Sequence, residues 1–230
     1  MTLAAHVARQ LWIRLRLIGI LSLPAVAAVV AVTVDGQIDS AAGRLALAIG
    51  FAVAAVLCAA LVGIGFAEEI ETGSAGWLVV RAVPRKRLIG AWLTMPTAAA
   101  VVGFALAGIL AGLAIPSALS AAPDPILVVV SLMASAAPAL PLTAAGMAIA
   151  VDAPPRVAFA ATIGGAAVLA VPILLLGATV VHPASGYWLV AGIAPGDRPI
   201  TIGLEATGLC LLLTAAIWLL AARRFEGRDL

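Results

Sequence analysis

Apolar stretches long enough to cross a bilayer dominate this sequence of 230 residues. A helix that rises 1.5 Å per residue needs about 20 apolar residues to cross roughly 30 Å of hydrocarbon. Charged residues make up only 10% of the chain, against about 25% in soluble domains, so they are too few to cover a water-exposed surface. The sequence predicts an all-α membrane protein with a single domain, 1–230. Its six transmembrane helices are expected at about 17–34, 45–67, 90–115, 126–151, 157–181 and 200–222.

The basic residues are distributed unevenly between the connections. If the N-terminus is cytoplasmic, 11 of the 13 Lys and Arg residues lie in cytoplasmic segments. The outer segments contain only Arg44 and Arg198. This bias is the positive-inside pattern, and it predicts a multi-pass membrane protein with both termini in the cytoplasm. A cleaved signal peptide is the alternative for the first stretch, although about 18 apolar residues exceed the usual 7 to 15. The net charge of +2 gives no indication of a nucleic-acid partner.

Residues 1–16 precede the first span and have an amphipathic pattern. At 100° per residue one stripe holds Leu3, Val7, Leu11 and Leu15. Arg9 and Arg16 lie nearly opposite, and Trp12 is suited to headgroup depth, which together favour a helix lying in the membrane interface. Arg14 falls on the apolar stripe and does not fit this pattern. The alternative is a disordered basic N-terminus that only sets orientation.

The ionisable residues offer little for catalysis or metal binding. Cys58 and Cys210 lie within apolar runs, and His6 and His182 are the only histidines, so no catalytic or metal site is expected. Glu205 is the only carboxylate within the spans, about 7–8 Å from the outer end of the last one by the helical rise. It either reaches back to the interface or contacts a proton or substrate.

The chain has no nucleotide-binding P-loop. That motif needs Gly-x-x-x-x-Gly-Lys-Ser/Thr, whereas the only lysine, Lys86, stands between Arg85 and Arg87. If transport is active, we expect the ATPase to be a separate polypeptide.

The fourth span contains two closely spaced prolines. Pro138 and Pro141, together with Ser135 and Thr143, lie within 131–150. A proline frees a carbonyl that lipid cannot satisfy, so such carbonyls must face protein or a water-filled path. The pattern fits either a broken helix lining a passage or a kinked packing helix.

The segment 66–93 between the second and third spans is the most informative. It reads FAEEIETGSAGWLVVRAVPRKRLIGAWL, with an acidic cluster, a Gly-Ser step, a short apolar turn and a proline followed by basic residues. On its residues alone it is either an amphipathic element that docks into a soluble partner or a charged loop that enforces topology.

This pattern resembles the ABC-2 type membrane subunits of ATP-binding-cassette exporters. The family has six spans with cytoplasmic ends, an interfacial N-terminal helix and a comparable loop between spans 2 and 3. The resemblance implies that this loop is a coupling element for the ATPase. Its candidate residues are Glu69, Glu71, Gly73, Ser74, Leu78, Arg81, Pro84, Arg85 and Arg87. The proline lies about two residues later than in the family, and Gly90-Ala91 replaces the usual Gly-Lys.

The resemblance also implies a function. Tyr187 and Trp188, in the last outer loop, look like part of the short re-entrant helices that cap the export path in this family. We therefore expect a non-enzymatic transport subunit in the cytoplasmic membrane that moves an apolar or amphipathic substrate. It would work with a second membrane subunit, the same or homologous, and with an ABC ATPase that binds ATP and Mg²⁺. The alternatives are a membrane scaffold for a soluble partner and a proton-coupled carrier that uses Glu205.

Overall fold

The fold is a bundle of apolar helices. A computed structural model describes residues 2–35, 41–80, 83–114, 125–176, 181–190 and 198–227, and every regular element among them is an α-helix. In chain order the helices are α1 (Leu3–Ile13), α2 (Arg16–Asp35), α3 (Ala41–Glu71), α4 (Ser74–Val80), α5 (Arg85–Ala114), α6 (Pro125–Ala136), α7 (Ala139–Asp152), α8 (Pro155–Leu176), α9 (Ser185–Val190) and α10 (Pro199–Glu226).

Several of these helices are long and apolar enough to cross a membrane. Within the described residues, four segments meet that condition: Ala42–Glu71, Arg85–Ala111, Ile126–Asp152 and Pro199–Glu226. Leu3–Ile13 and Arg16–Ala31 form a bent pair that gives a fifth if it is counted as one span. The expected fifth stretch, 157–181, coincides with α8, and its last residues lie partly outside the described residues. The protein therefore has the helical architecture of a multi-pass membrane protein.

The helices extend beyond the apolar stretches at their charged ends. The second stretch is predicted over 45–67, whereas α3 continues to Glu71 and carries three glutamates in its last turn. The polar segment 68–89 is largely helical, because α4 follows after two residues and α5 begins at Arg85. Charge limits how far a span enters lipid, but it does not end the backbone hydrogen-bonding of a helix.

The centre of the bundle is α3, which packs against α2, α7, α8 and α9. Its crossing with α7 brings backbone against backbone. A Cβ atom added at Gly63 would lie only 2.9 Å from the carbonyl oxygen of Gly146. The α2–α5 crossing is similar, since a Cβ at Gly103 would lie 2.9 Å from the carbonyl oxygen of Leu21. Small residues thus permit the close helix contacts on which apolar bundles in lipid depend.

The N-terminal segment differs from the expected helix over 1–16. The helix α1 ends at Ile13, the axis turns by 71° into α2, and Leu15 has a positive φ of 56°. Val7 and Leu11 are fully buried, and α1 packs on α5 and α2, so the apolar stripe faces protein rather than lipid. The inclusion of Leu15 in that stripe was wrong, because this side chain lies beyond the helix and is exposed. Trp12 is also exposed.

The proline-rich fourth span is interrupted by a turn. The helix α6 ends at Ala136 and α7 begins at Ala139, yet Ile126–Asp152 remains one membrane-length segment. Ser135 and Thr143 are fully buried, and their hydroxyls donate to carbonyl oxygens one turn earlier, Leu132 at 2.8 Å and Ala139 at 2.8 Å. A hydroxyl that bonds its own helix needs no polar passage, so these contacts favour the kinked packing helix.

Candidate functional site

Several helix ends converge at one end of the bundle. Arg16 at the start of α2 donates to Glu68 near the end of α3 at 2.7 Å. The ends of α3 and α10 meet where the Phe66 and Phe225 ring centroids lie 5.5 Å apart. The ends of α7 and α10 meet where Arg224 and Asp152 form an ion pair of 3.4 Å. We call this region the charged end, and it comprises residues 2–16, 66–80, 83–92, 152–156 and 223–227.

The charged end contains a cluster of ion pairs that joins the N-terminal segment to α3. Glu68 accepts from both Arg14 at 2.6 Å and Arg16 at 2.7 Å. The next residue, Glu69, is almost fully buried, and its Oε1 lies 2.8 Å from Nε2 of His6 on α1. We call these five residues the α1–α3 junction. Glu68 and Glu69 therefore bind the last turns of α3 both to α1 and to the start of α2, which lie on either side of the 71° bend.

The chain turns sharply after α3. The Thr72 hydroxyl donates to the carbonyl oxygen of Glu68 at 2.7 Å and also lies 3.0 Å from the Ser74 hydroxyl. Gly73 has a φ of +74°, a conformation that other residues rarely adopt, and α4 begins at the next residue. Glu71 and Gly73 are exposed, whereas Ala75 is fully buried. The turn therefore presents a short surface segment directly beside the α1–α3 junction.

The start of α5 is attached to the C-terminal end of the described chain. Arg85 donates to the carbonyl oxygen of Glu226 at 2.6 Å, and Lys86 pairs with the Glu226 carboxylate at 3.2 Å. Pro84 precedes this helix, and both Pro84 and Arg87 are exposed. The candidate coupling segment is thus anchored at its beginning by α3 and at its end by α10.

The predicted coupling residues divide into two groups. Glu69 and Arg85 hold parts of this chain together, and Leu78 packs partly buried against the core. The exposed members are Glu71, Gly73, Pro84 and Arg87, with Ser74 half-buried. Arg81 lies outside the described residues. The sequence reasoning missed His6, Arg14 and Glu68 as partners, because 54 or more positions separate Arg14 and His6 from their acidic partners and no local pattern connects them.

The short helix α9 enters the opposite half of the bundle. The Tyr187 ring lies 6.0 Å from Phe51 and 5.9 Å from Phe104, measured between ring centroids. Phe51 is ten residues from the start of α3, so Tyr187 packs about 15 Å along that helix. The segment before α9 reaches a similar depth along α10, because the Cys210 thiol lies 3.6 Å from the carbonyl oxygen of Pro183. Trp188, next to Tyr187 in the chain, is half-buried.

The remaining predicted site residues lie neither at the charged end nor around α9. Pro138 and Pro141 are buried with Ser135 and Thr143 at the α6–α7 turn, and Thr143 also lies 3.0 Å from the Thr97 hydroxyl of α5. Glu205 is exposed on α10, and Arg9 is exposed on α1. No group of three or more His, Cys, Asp or Glu side chains suited to a metal ion occurs among the described residues.

No protein-family model matches this chain, and no curated protein matches it. The assignment of a function therefore depends on segment 66–93, the distribution of charge and the contacts described above.

Proposed function

We propose that this chain is the transmembrane subunit of a bacterial ABC-2 type exporter, with six spans and both termini in the cytoplasm. The observation that carries the proposal is the α1–α3 junction next to the exposed turn at Glu71 and Gly73. The junction binds the N-terminal helix α1 and the start of α2 to the end of the central helix α3, and the exposed turn leads from there into α4, which packs on α3. The resembling family has its ATPase contact in the corresponding segment.

The charge distribution supports the cytoplasmic assignment of the charged end. This region carries most of the basic side chains of the chain, among them Arg9, Arg14, Arg16, Arg85, Lys86, Arg87, Arg156, Arg223 and Arg224. Arg198, by contrast, precedes the first residue of α10, whose 28 residues end at Glu226. The two ends of that helix are therefore about 40 Å apart along its axis. Such an asymmetry is what the positive-inside rule requires of cytoplasmic segments.

The proposed mechanism transmits movement of the ATPase through α3. Closure of the ATPase on ATP and Mg²⁺ would push on α4 and on the exposed turn before it. Because the last turns of α3 are bound to α1 and α2, and α3 packs on α7, α8 and α9, displacement of this end shifts the central helix against its neighbours. Two packing states with different substrate affinities then drive export, and no covalent chemistry occurs in this chain.

Co-purification in mild detergent tests the proposal. We expect a soluble P-loop protein that hydrolyses ATP to accompany this chain, together with a second membrane subunit. Glu71→Ala should reduce the stimulation of ATP hydrolysis by the membrane subunit, because the exposed Glu71 carboxylate can contact the ATPase directly. Asp152→Ala is the matched control, because it removes an exposed carboxylate at the charged end but outside segment 66–93.

The outcomes separate the proposal from its alternatives. A soluble partner that binds but neither hydrolyses ATP nor supports transport would favour the scaffold. Transport without any ATPase that is abolished by Glu205→Gln would favour the proton-coupled carrier. Equal ATPase stimulation by the Glu71→Ala and wild-type chains would contradict a coupling role for the exposed turn.

A further inference from the structure

An apolar cavity of about 330 Å³ lies between α3, α8 and α9. Its walls include Ala52 and Val56 of α3, Ile163 and Ala166 of α8, and the two aromatic residues of α9, Tyr187 and Trp188. The cavity is separate from the charged end and from the buried hydroxyls of the α6–α7 turn. Nothing in the mechanism described above uses it.

The cavity lies in the half of the bundle that contains the start of α3, and it opens to the outer surface of that helix. Its α3 wall spans residues 48–57, which lie about 10 to 24 Å from the start of a helix about 46 Å long. Ile49 and Val53 belong to that wall and are themselves about half exposed on the outer surface of α3. In a membrane-spanning chain, a mouth at this depth faces the hydrocarbon of the bilayer.

The chemistry of the walls restricts the ligand. No charged residue occurs among the described residues that line the cavity, so an ionised group inside it would lose its hydration without gaining a partner. Dry cavities of about 150 Å³ with aliphatic and aromatic walls hold one benzene molecule. By that comparison, this cavity holds a hydrocarbon of roughly twelve carbons.

We propose that the cavity binds one unbranched hydrocarbon chain, which enters sideways from the bilayer while its polar headgroup stays outside. The binding step needs only this chain, but its use in export depends on the proposed function. The same hydrocarbon chemistry is available from a single-chain amphiphile and from an acyl chain of a membrane phospholipid. The single-chain amphiphile is the exporter substrate that this inference specifies.

Photolabelling of the intact chain in phospholipid nanodiscs tests the proposal without an ATPase. The probe is a twelve-carbon single-chain amphiphile with a photoreactive group at the end of the chain, a length chosen from the cavity volume. We expect labelled peptides from the α3, α8 and α9 walls. Ala166→Phe should lower that labelling about tenfold by filling the cavity, and Ala52→Phe should do the same from the opposite wall. Ala161→Phe is the control, because it adds the same ring to an exposed site on α8 outside the cavity.

Each outcome supports or overturns the proposal. Competition by unlabelled single-chain amphiphile, in a phospholipid background, supports the substrate assignment, whereas displacement only by added phospholipid overturns it in favour of a resident lipid. Equal labelling of the Ala166→Phe and Ala161→Phe chains overturns the cavity as a binding site. Absent labelling together with a disulfide-linked dimer of the Val53→Cys chain overturns it in favour of a second copy covering the mouth.

The test also separates this inference from the proposed function. If no ATPase accompanies the chain but the labelling maps to the cavity, the hydrocarbon site stands and the exporter proposal fails. If an ATPase is found and the cavity variants leave labelling unchanged, the exporter proposal stands and the hydrocarbon site fails.

Discussion

At the scale of single residues, the contacts of Glu68 and Glu69 differ from what their exposed, acidic sequence context indicates. Both side chains are occupied by partners within the chain: Arg14 and Arg16 for the first, His6 for the second. Arg16 is mostly buried, so its guanidinium depends on Glu68 for compensation of its lost hydration. Of the three glutamates in the last turn of α3, Glu71 is therefore the one that is exposed to an external partner.

Glu68→Ala should destabilise the protein by roughly 1.5–3 kcal/mol, because it leaves the mostly buried Arg16 without this carboxylate. The measurement is thermal unfolding in detergent. Glu226→Ala is the control, since the Lys86–Glu226 pair is exposed and such pairs contribute about 0–1 kcal/mol. Equal shifts in the two variants would show that the α1–α3 junction does not hold the N-terminal segment.

Tyr187→Phe should leave stability unchanged or raise it by up to about 2 kcal/mol, because the buried hydroxyl has no hydrogen-bond partner among the described residues. Tyr187→Ala should instead cost about 3–5 kcal/mol, since it removes the ring contacts with Phe51 and Phe104. Thermal unfolding compares the two variants. A large loss in Tyr187→Phe would indicate that this hydroxyl has a polar partner, such as a bound molecule.

At the scale of elements, the sequence predicts where helices run better than where they bend. Apolar length is a local property, so the predicted stretches 200–222 and 90–115 coincide with most of α10 and most of α5. The end of α1 at Ile13 was not predicted, because the turn at Leu15 depends on packing against α5 and on the pairing of Arg14 with Glu68. Pro138 coincides with its turn, but Pro24 and Pro96 lie inside the continuous helices α2 and α5, so a proline alone does not determine where a helix breaks.

The α3–α7 crossing yields a prediction of its own. Gly146→Ala should destabilise the protein by about 1–3 kcal/mol, because the added methyl group meets the backbone of Ala59 on α3. Gly164→Ala on α8 is the control, since nothing lies within 4 Å of its added Cβ, and alanine is favoured over glycine in a helix by about 1 kcal/mol. In thermal unfolding in detergent, the unfolding temperature should therefore fall in Gly146→Ala and rise in Gly164→Ala. A neutral Gly146→Ala would mean that the two helices can separate at little cost.

At the scale of the whole molecule, the two ends of the bundle differ in charge and in architecture. One end gathers the ion pairs of α1, α2, α3, α5, α7 and α10, and the other receives the apolar helix α9. The sequence predicts this polarity from the spacing of basic residues alone. It could not predict the cavity between α3, α8 and α9, because that space results from the positions of three segments far apart in the chain.

The polarity predicts opposite accessibility of two exposed positions. Asp152 lies at the charged end, and Arg198 precedes α10 at the other. In intact cells, a membrane-impermeant maleimide added outside should label Arg198→Cys and spare Asp152→Cys, which should react only after the membrane is permeabilised. The native Cys58 and Cys210 are buried, and labelling of the unsubstituted chain measures their background reaction with the maleimide. Labelling of both positions from outside would contradict the proposed topology, and with it the assignment of segment 66–93 to the side where ATP is available.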